Sequence, residues 1–116
     1  MNMEYIIIED HRTEFPNPIS LKRGEGVIIR EESSETWPNW VSCMKMDGSN
    51  TGWVPKQIIA YKNKAKGTIT EDYSAKELDI DKGTIVEGIK ELNGWLLSRN
   101  TINDEIGWVP LEKMKK

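Results

Sequence analysis

A chain of 116 residues, 37% hydrophobic and 30% charged, has room for one ordinary globular domain or two very small ones. Its formal net charge is −3, with six Lys/Arg against nine Asp/Glu in residues 1–60 and ten against ten in residues 61–116, so neither half has the basic excess that draws a protein onto a phosphate backbone. One cysteine, Cys43, excludes an internal disulfide and points to a reducing compartment.

In chain order, the start MNMEYIIIED has no basic leader, and its apolar run ends at Glu9, so it reads as neither a signal peptide nor a membrane span. A cytoplasmic location and no membrane partner are therefore expected. The apolar stretches are short, β-branched and aromatic, with turn residues between them, which predicts strands. They are EYIII, GVIIR, WVSCMKM, TGWVP and IIAY, followed by GTIT, TIVEGI, WLLSR, EIGWVP and LEKM. No segment keeps a helical period over three turns. MDGSNTG places Asp-Gly between two apolar runs as a hairpin signal, and NTINDEIG does the same with Asn103-Asp104. Alternation after Trp40 sends Val41 and Cys43 to the core side and leaves Ser42 on the side of Trp40.

The order of these elements is written twice. NWVSCMKMDGSNTGWVP and GWLLSRNTINDEIGWVP both place tryptophan twelve positions before the glycine of Gly-Trp-Val-Pro: Trp40 and Gly52, then Trp95 and Gly107. Upstream, ISLKRGE matches LDIDKGT, and IIEDH matches ITEDY. The offset changes from 62 to 59 to 55, so the first copy has three extra residues in RTEFPNP and four in SETWPN. Insertions collect in loops while strands keep register. The expected fold is all-β, with two small five-stranded barrels in tandem. The first spans 1–60 and the second 67–116; residues 61–66, with Lys62, Lys64 and Lys66, form a short soluble linker.

Taken together and in order, EDYSAKELDIDKGTIVEG, NGWLLSRN and EIGWVPLEKM resemble a Src-homology-3 domain, and IIEDHRTEFPNPISLKRGE, NWVSC and TGWVPKQII follow the same plan. The resemblance covers nearly the whole chain as two modules and is to small bacterial proteins made of tandem variant modules. It implies a shallow aromatic groove that takes a proline-rich peptide in the polyproline conformation. Carried over by position, the first groove would hold His11, Glu14, Phe15, Trp40, Pro55 and Ile58. Trp37, in the enlarged loop beside it, would widen that groove or pack within the loop. The second groove would hold Tyr73, Glu77, Trp95, Pro110 and Lys113. The departures are His11 for the tyrosine matched by Tyr73, Glu71 for another motif tyrosine, and Ile58 and Lys113 for the tyrosine after the proline.

Each candidate has a plainer reading. Trp40 and Trp95 are groove platforms or sheet-packing residues, whereas Trp53 and Trp108 are assigned to packing. His11 shows no nucleophile or orienting partner in the sequence and reads as a surface or groove-wall histidine. Cys43 aligns with Ser98 and reads as a small buried side chain. No metal or cofactor motif is found, and an enzyme is not expected. The expected function is a non-catalytic interaction protein, monomer or weak dimer, binding a protein or proline-containing peptide. The alternatives are a nucleic-acid or ribosome-associated small barrel and a structural or regulatory subunit.

Overall fold

The computed structural model describes residues 3–32 and 37–116. The four-residue expansion read in SETWPN falls partly on 33–36, outside the described residues. Among the described residues the chain is all-β. The first repeat supplies β1 (Glu4–Ile7), β2 (Ser20–Leu21), β3 (Gly26–Glu31), β4 (Trp40–Lys45), β5 (Thr51–Pro55) and β6 (Ile59–Tyr61). The second supplies β7 (Lys66–Ile69), β8 (Tyr73–Ser74), β9 (Ile85–Leu92), β10 (Trp95–Asn100), β11 (Ile106–Pro110) and β12 (Met114–Lys115). A single 3-10 turn follows each Trp-Val-Pro, at Lys56–Ile58 and Leu111–Lys113.

Two five-stranded antiparallel sheets result, ordered β5-β4-β3-β7-β6 and β11-β10-β9-β1-β12, with β2 and β8 forming a small separate pair. These orders carry the main finding about the fold. The first strand of each repeat lies in the sheet built by the other repeat. β1 pairs with β9 and β12, placing Ile7 opposite Met114, whereas β7 pairs with β3 and β6, placing Ile69 opposite Ile59. The compact units are accordingly a continuous one, Asn17–Ala75, and a split one, Met1–Pro16 with Lys76–Lys116. They do not follow the expected division into 1–60, a linker at 61–66, and 67–116.

Chain length between β6 and β7 gives a physical reason. Only four residues, 62–65, separate the two strands. They form a tight turn in which the Lys62 N–H donates to the Lys66 carbonyl at 2.9 Å, and Asn63 Oδ1 accepts from the Ala65 and Lys66 N–H groups. Four extended residues reach roughly 13 Å. That is ample for a neighbouring strand about 4.8 Å away, but short for leaving one barrel of ~55 residues, roughly 25 Å across, to begin another. The stretch read as a linker is thus a hairpin turn, and β7 takes the place beside β6 that β1 would otherwise fill. β1 then fills the matching place beside β12.

Each exchanged strand contributes one fully buried isoleucine. Ile69 joins Ile19, Leu21, Val27, Val41, Cys43, Val54, Ile58 and Ile59 in the continuous unit. Ile7 joins Leu78, Ile80, Val86, Leu96, Val109 and Met114 in the split unit. Full burial of such a side chain is worth about 1.5–3 kcal/mol, so an arm left unpaired would expose substantial apolar surface. Val41 and Cys43 face the core as their alternation predicts. Ser98, the counterpart of Cys43, is also buried, and its hydroxyl donates to the Leu96 carbonyl at 3.0 Å.

The glycine of each Gly-Trp-Val-Pro is explained by close approach. A Cβ on Gly52 would lie 2.7 Å from Ile19 Cγ2, and one on Gly107 would lie 3.0 Å from the Lys76 carbonyl oxygen and 3.1 Å from the Glu77 carbonyl carbon. In both units another segment of the chain passes close over the strand at that point. Any side chain there would push it off.

Candidate peptide-binding faces

Strand exchange regroups the candidate groove residues. In the continuous unit Trp40 lies opposite Pro55, and Ser42 opposite Trp53, so all four share one face of β4 and β5. Tyr73 arrives on the arm of the second repeat. Its hydroxyl donates to the Trp53 carbonyl at 2.9 Å, and its ring packs against the core with Ala75. Trp37 precedes β4 in a turn closed by the Trp40 N–H on the Trp37 carbonyl at 3.4 Å, and it is 46% exposed. Trp40 is 6% exposed and Pro55 is fully buried, Tyr73 and Trp53 are half-buried, and Trp37, in the turn before β4, is the most exposed tryptophan of this unit. Ile58 is buried in the core and offers a ligand nothing.

In the split unit Trp95 lies opposite Pro110, and Leu97 opposite Trp108, on one face of β10 and β11. His11 arrives on the arm of the first repeat and meets the Trp95 ring edge to face, with centroids 5.9 Å apart at 80°. It is 7% exposed, so it is part of the packed wall rather than a surface histidine. Its Nε2 is 2.7 Å from Glu77 Oε1 and its Nδ1 is 3.0 Å from Lys113 Nζ. These partners are not visible from local pattern, because they lie 66 and 102 positions away. Pro110 and Trp108 are buried, while Trp95 and Lys113 are half-buried. Glu14 and Phe15 belong to this unit and are exposed near the end of its arm.

The two grooves read from the sequence are therefore crossed. His11, Glu14 and Phe15 fall with Glu77, Trp95, Pro110 and Lys113; Tyr73 falls with Trp37, Trp40, Pro55 and Ile58.

The arm of the split unit is fixed mainly by its own charges. Arg12 pairs with Asp81 and donates to the His11 and Ile80 carbonyls; Asp79 accepts from the Thr13 N–H, and Asp10 from the Lys82 N–H. Most of the acids around this loop are thus engaged in shaping it. Elsewhere, burial pushes the Cys43 thiol up to about 12, with Glu32 adding to the shift, so it stays protonated and unreactive at neutral pH. Among the described residues no group of three or more His, Cys, Asp or Glu is placed to hold a metal ion.

Residues 5–61 match the family of the variant SH3 domain. The variant SH3 match covers just under half of the chain and corresponds to the first repeat, so it crosses the division between the units: its first strand lies in the split unit and the remainder in the continuous one. No curated protein and no solved structure matches the chain. SH3 domains are interaction modules, generally without catalysis.

Proposed function

We propose that the protein is a non-catalytic interaction protein that takes a proline-containing peptide on the aromatic face of its continuous unit, and that residues 62–116 are a second, diverged copy of the matched domain. The observation that supports this reading is that strand exchange brings Tyr73 onto the Trp53 carbonyl beside β5, with Trp37 exposed in the turn before β4. Flat, rigid rings suit the faces of proline, and a polyproline segment binds with little loss of chain entropy. Tyr73 brings to this face an aromatic ring that the first repeat lacks at His11.

Titration with proline-rich peptides, followed by NMR of the tryptophan indole N–H groups, tests the proposal. The Trp37 and Trp53 signals are expected to move together and saturate, and Trp37→Ala is expected to weaken binding by about tenfold, the scale of a lost aromatic contact. Unmoved indole signals with every proline peptide would overturn it.

A further inference from the structure

The split unit carries a row of groups that the aromatic reading does not use: Glu77, His11 and Lys113. An ammonium can only donate, so Lys113 Nζ donates to His11 Nδ1, and the imidazole proton sits on Nε2, where it is donated to Glu77. Two consequences follow. The Glu77 side chain, 13% exposed and already accepting from His11, is not available to read a cationic ligand. Lys113 has two acceptors, His11 Nδ1 and the Asp10 carbonyl at 3.3 Å, and both are neutral. Among the described residues no carboxylate is paired with it. The neighbouring Asp10 carboxylate is held by the Lys82 N–H at 2.6 Å. A half-buried ammonium, with no carboxylate hydrogen-bonded directly to it among the described residues, thus stands with His11, which meets the Trp95 indole.

We propose that this face binds an acidic peptide, with a Glu or Asp side chain on Lys113 Nζ and an adjoining residue against Trp95. The inference adds a second face to the one proposed above and rests on the general reading of the chain as an interaction protein. Charge complementarity at contact range supports it. The split unit has twelve Asp/Glu against eight Lys/Arg, but unit charges beyond about 8 Å are largely screened at physiological salt. A charge-assisted hydrogen bond acts at about 2.8 Å and is roughly twice as strong as a neutral one.

The test uses three short peptides, capped at both ends, that alternate proline with glutamate, glutamine or lysine, added to the full chain at physiological salt. The glutamate peptide is expected to move the Trp95 indole signal and to bind more tightly than the other two. Lys113→Met is expected to reduce that affinity by about tenfold or more, while Lys113→Arg retains it. A Trp108 signal that stays dispersed in both variants reports an intact split unit. Equal affinity for the glutamate and glutamine peptides, tighter binding of the lysine peptide, or indifference to Lys113→Met would overturn the proposal. If all three peptides moved only Trp37 and Trp53, the aromatic reading would stand and this one would fall.

Discussion

The continuous unit places Tyr73 where the split unit places His11, and in each case the residue comes from the other repeat. Their surroundings differ accordingly. Tyr73 gives one hydroxyl to the Trp53 carbonyl, whereas His11 bridges a carboxylate and an ammonium next to the Trp95 indole. Exchange thus sorts two similar repeats into unlike surfaces. It also moves charge: repeats that balance at nine acids to six bases and ten to ten become units with seven acids to eight bases and twelve to eight. Repeats that lend each other a first strand cannot be divided at the repeat boundary, and this dependence is what mutation can break.

Removal of residues 1–16 takes β1 from the interior of the split sheet, between β9 and β12, and exposes the surface that Ile7 covers. The split unit is expected to unfold while the continuous one persists. By NMR, the Trp95 and Trp108 signals would collapse to unfolded positions, and those of Trp40 and Trp53 would remain dispersed. Inserting ten or so flexible residues into the turn at 62–65 relaxes the reach that enforces exchange. Hydrogen exchange should then find the amides of both first strands less protected, as alternative pairings compete.

The two close-approach glycines grade the comparison further. Gly107→Ala would drive a Cβ into main-chain atoms of Lys76 and Glu77, which have little room to yield. A cost of about 1–3 kcal/mol is expected for such overpacking, read from the denaturant midpoint of the split unit. Gly52→Ala meets the branched side chain of Ile19 and should cost a similar amount in the continuous unit. His11→Phe removes both bonds of the bridge and leaves Glu77 and Lys113 without it, for about 1–3 kcal/mol. Tyr73→Phe removes one hydroxyl bond, for about 0.5–1.5 kcal/mol. Thermal melts of the two variants should rank in that order.

The smallest effect concerns Glu25. A hydrogen bond from Lys45 at 3.0 Å, aided by the Lys22 N–H, holds its carboxyl below the ordinary carboxylate range. A carboxyl pKa lowered by folding contributes stability above its unfolded value and loses it as pH falls through the folded value. Glu25→Gln should therefore cost less than about 1 kcal/mol at neutral pH, and the difference should vanish in strong acid.

Much of the fold is legible in the sequence. The strands, the core positions Val41 and Cys43, and the turns at Gly48 and Asp104, both with positive φ, follow from alternation and turn chemistry. The candidate groove positions are those that the order of motifs suggests. That order does not suggest their grouping, because β1 and β7 are interchangeable as local patterns. Ile7 and Ile69 are both fully buried, and each offers its carbonyl at 2.7 Å to the N–H of a turn glycine in the other repeat, Gly83 or Gly24. Either arm satisfies either barrel, so periodicity cannot choose between them. The cue that does choose is the four-residue turn, which is a matter of reach and not of residue type. The bridge at His11 was hidden for the same reason, since its partners belong to the other repeat.

Strand pairing is tested most directly by backbone NOE contacts in the intact protein. Exchange predicts cross-strand contacts from Ile7 to Met114 and from Ile69 to Ile59. Contacts from Ile7 to Ile59 and from Ile69 to Met114 would mean that each repeat closes on itself, and would contradict the account.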